Sequence, residues 1–350
     1  LYHLIFVVKI KNNMRVCILG SGLSALTLAN AMANENIHVD ILLSQKKHII
    51  NKSRTLGISK SNFEFFNKNI INIEKIIWKL KKIEIFTENL SGEKILNFES
   101  SSDQLFSIVK NINLYDVLYK NLKSKKNHKK IKFSKKLSNI NNYNLVINTD
   151  YSNSLTKKYF NKRIFKTYNS YAYSTIINHE KIKNDVAMQI FTKRGPLAFL
   201  PISKNYTSIV YSIYNSNNKI KESITDLINY YNTKYKIKKI EDCENFELKS
   251  LILRSYYNNN ILAFGDLLHR IHPLAGQGFN MTIRDVKILI EIIKEKLSLG
   301  LPIDNSVNKQ FEKKVKHKNY IFSNGIDLIH EFFNFERKFK NSFLSQSVQF

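Results

Sequence analysis

The fold is decided by one stretch of the chain, Gly265-Asp266-Leu267-Leu268-His269-Arg270-Ile271-His272-Pro273-Leu274-Ala275-Gly276-Gln277-Gly278-Phe279-Asn280. It follows the apolar run 261–264, which predicts a strand covered on both faces, and it precedes a helix predicted from Asn280 to about Leu297. Asp266 is therefore expected at the carboxyl end of a strand, the edge at which open α/β sheets bind ligands. Its carboxylate can accept hydrogen bonds from ribityl or ribose hydroxyls.

The loop between this strand and this helix carries little side-chain bulk. Pro273 and the run Gly276-Gln277-Gly278 would let the backbone approach a flat ligand closely. The amides at the helix N-terminus would stabilise anionic charge on that ligand. The alternative is a plain strand-turn-helix connection in which the glycines only form turns. The density of glycine around Asp266 favours a cofactor site.

The stretch resembles the second flavin motif of FAD-dependent aromatic hydroxylases, and it is closest to the branch that hydroxylates polyprenylated phenols in ubiquinone biosynthesis. The resemblance continues to Arg284-Asp285. It implies FAD-binding roles for a set of loop residues: Asp266, Gly276, Gln277, Gly278, Phe279 and Asn280. Pro273 and His272 are the candidate catalytic residues, and His272 could transfer a proton to or from a phenol. A structural role, in which His269 and His272 tie the loop together, is the alternative.

A second glycine motif follows Met14. Residues 15–19 form an apolar run, the turn Gly20-Ser21-Gly22-Leu23-Ser24-Ala25 comes next, and helical character extends from Leu26 to about Asn34. This order is the context that the dinucleotide fingerprint requires. Gly20 would form the tight turn, Gly22 would let a pyrophosphate approach, and Ala25 would replace the third glycine. The motif predicts five FAD-binding residues: Gly20, Gly22, Leu23, Ser24 and Ala25.

The fingerprint also expects an acidic residue about 20 positions further on, where it binds ribose hydroxyls. In this chain that position is Leu43, which is apolar. Ser44 could supply only a neutral hydrogen bond, and Asp40 points to a different part of the strand. We therefore expect weaker retention of FAD.

Two further segments resemble the same family. In Ser53-Arg54-Thr55-Leu56-Gly57-Ile58-Ser59, the resemblance implies that Arg54 lies along the cofactor, where a guanidinium can bind phosphate oxygens. A surface arginine before a helix is the alternative. Residues 144–154 resemble the family's strand followed by Ala-Asp-Gly, which implies that Asp150 binds FAD. Tyr151 replaces the glycine, so the turn must differ or the contact is lost.

Between these motifs the pattern changes to short antiparallel strands. Apolar runs at 186–191, 196–201 and 208–211 are separated by turn residues, which are hairpin signals. The run Gly195-Pro196-Leu197-Ala198-x-Leu200-Pro201 resembles the sheet that covers the family's substrate cavity. Phe191, Phe199 and Tyr211 are the candidates to line that pocket, and core packing is the alternative for each.

These patterns predict an α/β fold with a Rossmann-like FAD-binding domain, an inserted antiparallel β-sheet substrate domain and C-terminal helices. The predicted division is 14–160 with 251–300 for the discontinuous FAD-binding domain, 161–250 with part of 80–110 for the substrate domain, 301–350 for the C-terminal helical segment and 1–13 for an N-terminal extension. Residues 123–136 are expected to form a lysine-rich linker or hairpin on the solvated surface.

The charge balance is strongly basic, with 55 Lys and Arg against 28 Asp and Glu and a formal net charge of +27. Lysine occurs together with asparagine and isoleucine throughout, which is typical of compositional drift, so no nucleic-acid partner is expected. If the charge does serve a partner, an anionic membrane surface is favoured. Two cysteines without a CxxC pair support neither a disulfide nor a metal site and indicate a reducing compartment. No apolar run reaches the ~18 residues of a membrane span, so the expected location is cytoplasmic or peripheral on the inner membrane.

The resemblance also implies a reaction. NAD(P)H would reduce FAD, and a flavin C4a-hydroperoxide would hydroxylate the aromatic ring of a lipophilic, polyprenylated phenol, within a complex of ubiquinone-biosynthesis proteins. The lack of a recognisable catalytic triad agrees with this, because the cofactor carries the chemistry. Two alternatives remain: a related flavoprotein such as a hydrocarbon reductase or halogenase, and a non-catalytic basic binding protein on a decayed flavin scaffold, which Leu43 and Tyr151 would suit.

Overall fold

The computed structural model describes residues 14–43, 52–88, 94–101, 104–126, 131–134, 140–214, 223–272 and 277–339. The strands are β1 (Arg15–Leu19), β2 (His38–Leu42), β3 (Thr55–Ser59), β4 (Ile77–Leu80), β5 (Lys82–Thr87), β6 (Lys94–Glu99), β7 (Phe106–Lys110), β8 (Ile131–Ser134), β9 (Leu145–Asn148), β10 (Arg163–His179), β11 (Val186–Thr192), β12 (Gly195–Pro201), β13 (Tyr206–Tyr214), β14 (Ile237–Ile240), β15 (Glu244–Leu253), β16 (Tyr257–Asn258), β17 (Ile261–Ala263) and β18 (His269–Arg270). The α-helices are α1 (Leu23–Asn34), α2 (Lys60–Asn69), α3 (Asn111–Lys126), α4 (Ser154–Tyr159), α5 (Ile224–Tyr231), α6 (Gly278–Ser298) and α7 (Asn305–Phe339).

The first sheet has six strands in the order β16-β17-β9-β1-β2-β8. All pairs are parallel except the short hairpin of β16 and β17. Its central strands are apolar without alternation because both faces are covered: all four residues of β9 are buried. Helix α1 packs between β1, α3 and α6, and its nine residues from Ala25 to Ala33 are all buried. Four of those nine are alanines, whose small side chains let neighbouring helices and strands pack closely around α1.

The second sheet has nine strands, in the order β18-β15-β10-β13-β12-β11-β5-β6, with β14 added to β10. The face that carries Ser174 and Ser208 contacts the segment leading into β3, through hydrogen-bonding contacts of Ser174 with Ser53 at 2.8 Å and of Ser208 with Thr55 at 3.0 Å. We call it the inner face. The opposite, outer face is covered by α5 through the buried Leu227 and other apolar residues. A third, antiparallel sheet has the order β3-β7-β4.

The predicted α/β class is confirmed, and the inserted sheet is antiparallel as predicted except for the parallel pair of β5 and β11. The chain returns to the first sheet at β16 and β17, then crosses back at β18, which pairs with β15. The motif after β17 therefore connects the two sheets. The division of the chain into the numbered domain ranges remains a proposal, and residues 1–13 lie outside the described part.

The expectation of a solvated linker at 123–136 was wrong in part. Helix α3 continues to Lys126, and β8 is the edge strand beside β2, with Ile131 buried at 2% exposure. Strand β8 is not evident from the sequence, because only one of its four residues is fully buried and the surrounding segment is rich in lysine. Within the described ranges, no helix has both the length and the apolar character needed to cross a bilayer.

Candidate functional site

Three strand-end turns meet at the carboxyl edge of the parallel sheet. The turn after β9 joins the end of β1, because both the amide and the hydroxyl of Thr149 donate to the Leu19 carbonyl at 2.9 Å. The turn after β17 joins β9, because the amide of Phe264 donates to the Asn148 carbonyl at 2.9 Å. Gly20, Asp150 and Asp266, which are far apart in sequence, are thus brought to one edge of the sheet.

The glycines at this edge allow close approach of the three turns. Gly20 has φ +119°, and a Cβ placed there would lie 2.4 Å from Oγ1 of Thr149. Gly265 has φ +64°, and a Cβ there would lie 2.5 Å from the side chain of Ser24. Both glycines have a backbone conformation that favours glycine, and at both positions a neighbouring side chain lies too close to leave room for a Cβ. Ser24 therefore serves the packing of the first turn against the third.

Two helices begin at this edge without side-chain caps. Helix α1 starts after Gly22, and α6 starts after Gln277; neither capping residue makes a side-chain hydrogen bond to the helix. The first amides of a helix have no partner within the helix, so they are available to an anion. Apart from its chain neighbours and the backbone of α6 itself, no atom of the described residues lies within 4 Å of a Cβ built on Gly278. Open space thus adjoins the N-terminus of α6, as a bound cofactor would require.

Several predicted FAD-binding residues act by packing. Ala25 is fully buried, and Leu23 packs at the border of the main core. The FAD-binding roles of Phe279 and Asn280 remain predictions, and the side chains of both residues contact other parts of the protein. Phe279 is buried with its ring 6.4 Å from that of Phe66.

The side chain of Asn280 joins α6 to β3 and α2. Its Oδ1 accepts from the amide of Ser59 at 2.9 Å and from Nδ2 of Asn62 at 2.8 Å, while its Nδ2 donates to the Gly57 carbonyl at 2.9 Å. These three bonds fix the start of α6 relative to the third sheet. Asn280 is therefore a positioning residue for the helix N-terminus.

The carboxylates at the edge differ in their surroundings. Asp266 is exposed, whereas Oδ1 of Asp150 accepts from the amide and the hydroxyl of Ser152 at 2.8 and 2.7 Å. Asp40 accepts from the Tyr143 hydroxyl at 2.7 Å, which directs it away from the edge. Leu43 is half-buried directly after β2, where the fingerprint expects an acid. The predicted site residues Ser44, Pro273 and Gly276 lie outside the described residues.

Arg54 and Tyr151 are both exposed. Arg54 precedes strand β3 rather than a helix, and its guanidinium lies 5.6 Å from the ring centroid of Phe246. Tyr151 keeps a negative φ, so the tyrosine is accommodated by a different turn. Two guanidiniums lie near its ring centroid, that of Arg163 at 5.0 Å and that of Arg270 at 5.9 Å.

The two histidines of the motif have different roles. Nε2 of His269 lies 2.8 Å from Oδ2 of Asp285, and both side chains are buried, so His269 ties the loop to α6. His272 is 1% exposed, and its ring meets the ring of Tyr168 edge-on at 4.9 Å. Tyr168 in turn donates to Asp327 of α7, and burial raises the pKa of its phenol. The ring of the catalytic candidate His272 thus packs against a tyrosine that stays protonated at neutral pH.

Only one of the three predicted pocket aromatics faces the flavin motif. Phe191 lies on the inner face and packs with Ile271 and Met281. The assignments of Phe199 and Tyr211 to the pocket were wrong: both are fully buried on the outer face, under α5. The Tyr211 hydroxyl lies 2.9 Å from that of Thr192, and burial raises the pKa of Tyr211 to about 12.

The strand register identifies inner-face residues that the sequence interpretation missed. Gln189, Ala198 and Val210 lie side by side on adjacent strands, on the same face as Phe191. All three are half-buried. The alternation of residues along each strand separates the two faces, so it could have grouped these residues, but it does not say which face meets the flavin domain.

The chain is similar to known flavoproteins. A family model described as FAD binding domain matches residues 166–298. The chain is 22% identical to Ubiquinone biosynthesis monooxygenase COQ6, mitochondrial, of Drosophila melanogaster, over 89% of this chain and 81% of that protein. It is 28% identical to 3-demethoxyubiquinol 3-hydroxylase of Escherichia coli, over 54% of this chain and 51% of that protein.

Solved structures share the fold. Klebsiella pneumoniae HpxO, crystallised with FAD and uric acid, superposes with a TM-score of 0.74 at 11% identity, covering 97% of this chain and 93% of that chain. Pseudomonas aeruginosa pqsL, a probable FAD-dependent monooxygenase, has a TM-score of 0.73 at 12% identity, covering 96% of this chain and 99% of that chain.

The fold and the glycine-lined sheet edge, together with these similarities, define an FAD-dependent monooxygenase. The chain is thus similar to the flavoprotein aromatic hydroxylases that its motifs resemble. The two curated relatives named above are hydroxylases of ubiquinone biosynthesis.

Proposed function

We propose that this monooxygenase hydroxylates the aromatic ring of a polyprenylated phenol in ubiquinone biosynthesis, with NAD(P)H as the electron donor. The observation that carries the proposal is the junction of the sheet edge and the inner face: the loop that follows Asp266 passes through Ile271, which packs against Phe191. A cofactor held at the edge would therefore meet a substrate that lies under the second sheet. The names of the relatives support the choice of substrate.

The residues of the edge suit FAD. The uncapped amides of α1 after Gly22 would bind the pyrophosphate, and the exposed carboxylate of Asp266 would accept from ribityl hydroxyls. The uncapped start of α6 would stabilise negative charge on the ring system. When bound and reduced, FAD supplies the oxygen chemistry, and the protein positions the substrate and excludes water.

The inner face provides a surface for the ring and tail of a lipophilic phenol. Ala198, Val210 and Phe191 are apolar, and Gln189 adds one amide that can hydrogen-bond a phenolic oxygen. His272 follows Ile271 in the chain, and its ring contacts that of Tyr168. We assign His272 the transfer of the phenolic proton, with Tyr168 as the residue that holds its ring.

The electron donor would approach over Tyr151. The two guanidiniums near this ring provide positive charge beside Asp150, which would suit the phosphates of NADH or NADPH. Arg163 also donates to the Tyr151 hydroxyl at 2.6 Å, so the pair is preorganised. We further propose that the protein acts within a complex of ubiquinone-biosynthesis proteins, in the cytoplasm or at the inner membrane.

The test is the visible absorption spectrum of protein that has been purified with added FAD and then desalted. Retained stoichiometric flavin, followed by NAD(P)H-dependent addition of one oxygen atom to a prenylated phenol in mass spectrometry, is the expected result. Rapid NAD(P)H oxidation without hydroxylated product would favour a related flavoprotein with another substrate. Folded protein that keeps no flavin would overturn the proposal and favour a decayed, non-catalytic scaffold.

A further inference from the structure

A row of half-buried side chains crosses the inner face of the second sheet. The strand register places five residues side by side on β13, β12, β11, β5 and β6: Val210, Ala198, Gln189, Ile85 and Leu96. All five are half-buried, and we call them the inner row. Neighbouring strands lie about 4.8 Å apart, so the inner row is about 19 Å long. Four of its members are apolar, and Gln189 in the middle is polar.

Apolar clusters border the inner row on both sides. Toward the flavin motif, Phe191 packs with Ile271 and Met281. On the other side, Leu200 and Ile83 pack with apolar residues of β4 and β7 in the third sheet. In the part of the chain that the structure describes, neither cluster includes a member of the inner row. The inner row is therefore a floor between two apolar walls.

This floor is closed at one end and open at the other. Beside Val210, on β10, lies Ser174, which is 2% exposed and whose hydroxyl lies 2.8 Å from that of Ser53. At the other end, β6 is the last strand of the sheet among the described residues. Phe98 lies on the same face of β6, two residues beyond Leu96, and is 48% exposed. A ligand on the floor can thus reach solvent past β6 but not past β10.

We infer that the inner row from Gln189 to Leu96 holds the first isoprene units of the substrate's prenyl tail, and that the tail leaves the protein past Phe98. The inference rests on the proposed function, in which Gln189 bonds the phenolic oxygen. Ile85 and Leu96 continue from Gln189 toward the open edge over two strand spacings, or about 10 Å. Each is apolar and half-buried, as a surface that covers one side of a hydrocarbon chain would be.

The length of this segment sets how much of the tail the protein recognises. An extended isoprene unit is about as long as one strand spacing, so the floor covers about two units. Units beyond the second extend past the edge strand and contact little of the protein. The site therefore selects for the presence of a tail and not for its full length.

The test is equilibrium binding of phenols that carry zero to four isoprene units to the FAD-loaded full chain, measured by calorimetry. The Kd should fall at least about tenfold with each of the first two units, because each buries apolar surface, and less than about threefold with each later unit. A Kd that ignores the tail, or that falls equally through the fourth unit, would overturn the inference and leave the proposed function intact. A flavin-loaded chain that binds none of the phenols would overturn both.

A matched pair of variants determines the direction of the tail. Leu96→Ser should raise the Kd of the two-unit phenol at least about tenfold and leave that of the unprenylated phenol unchanged, because only the tail lies over β6. Val210→Ser makes a similar change near the closed end and should leave the ratio of these two Kd values unchanged. The reverse result would place the tail toward β10 and overturn the inference.

Photo-crosslinking gives a measurement on the unmodified chain. A two-unit phenol with a diazirine at the end of its tail should label the β6 segment that contains Leu96 and Phe98, as read by peptide mass spectrometry. Excess unlabelled two-unit phenol should prevent this labelling. Protected labelling of β10 or β13, with none on β5 or β6, would overturn the inference.

Discussion

The open space at the start of α6 predicts that a side chain at Gly278 will block the cofactor without harming the fold. In Gly278→Leu, the Cβ of the new side chain lies more than 4 Å from every described atom outside its chain neighbours and the backbone of α6. We therefore expect the free energy of unfolding without FAD to change by no more than about 1 kcal/mol, which is the difference in helix propensity between glycine and leucine.

The expected effect on FAD is larger. Forcing extra carbon atoms into an occupied, well-packed space costs about 1–3 kcal/mol. That cost corresponds to an increase of roughly 5- to 150-fold in the Kd for FAD. The Kd would be measured by quenching of flavin fluorescence, and stability by urea unfolding of the same preparation.

Gly325→Leu is the matched control, because Gly325 lies within α7 and its Cβ would also meet no atom within 4 Å. It should leave the Kd unchanged. A Gly278→Leu variant that binds FAD as tightly as the unmodified protein would refute the reasoning, since the space beside α6 would then not belong to the cofactor.

Four further outcomes are expected. Leu43→Asp should lower the Kd for FAD by about tenfold or more in the same titration, because a hydrogen bond to a charged group contributes about 1.5–3 kcal/mol; an unchanged Kd would show that the ribose lies elsewhere. Phe191→Ala should raise the KM for a prenylated phenol with a modest loss of stability. Phe199→Ala should lower the free energy of unfolding by about 3–5 kcal/mol with little specific effect on KM. The reverse pattern in kinetics and urea unfolding would show that Phe199, and not Phe191, lies on the face that meets the substrate. His269→Ala should destabilise the protein by about 1–3 kcal/mol in urea unfolding, because the buried Asp285 loses one of its two partners and keeps only Arg284; an unchanged free energy of unfolding would show that His269 does not tie the loop to α6. Burial lowers the pKa of His179, so the unfolded chain binds the proton first and stability should fall as the pH drops below about 6.5; His179→Gln should flatten this slope in unfolding measured against pH, and an unchanged slope would contradict it.

The elements of the edge could be predicted because each motif is local. A strand, a glycine turn and a helix follow one another directly around Gly20 and again around Gly265, and the positive φ of both residues requires the residue type that the sequence contains. The carboxyl ends of parallel strands share one edge, so the meeting of the two motifs followed from the fold class. The apolar, non-alternating runs also predicted three strands of the first sheet, β1, β9 and β17.

The sequence indicated the alternation of the second sheet but not the identity of its faces. Phe191, Phe199 and Tyr211 are similar residues in similar strands. The docking of α5 on one side and of the loop around Ile271 on the other assigns them to different faces. Similarly, the lysine-rich segment at Ile131 forms a strand because it pairs with β2, a contact that its own sequence does not indicate.

By itself, the sequence determined the chain's cofactor class, because phosphate-binding turns depend on glycine and on neighbours a few positions away. The tertiary structure decided which side chains face the cofactor and which support it. Asn280 shows the reason: its amide bonds to Gly57, which lies 223 positions earlier, and contacts over such separations depend on how sheets and helices pack, which no local pattern encodes.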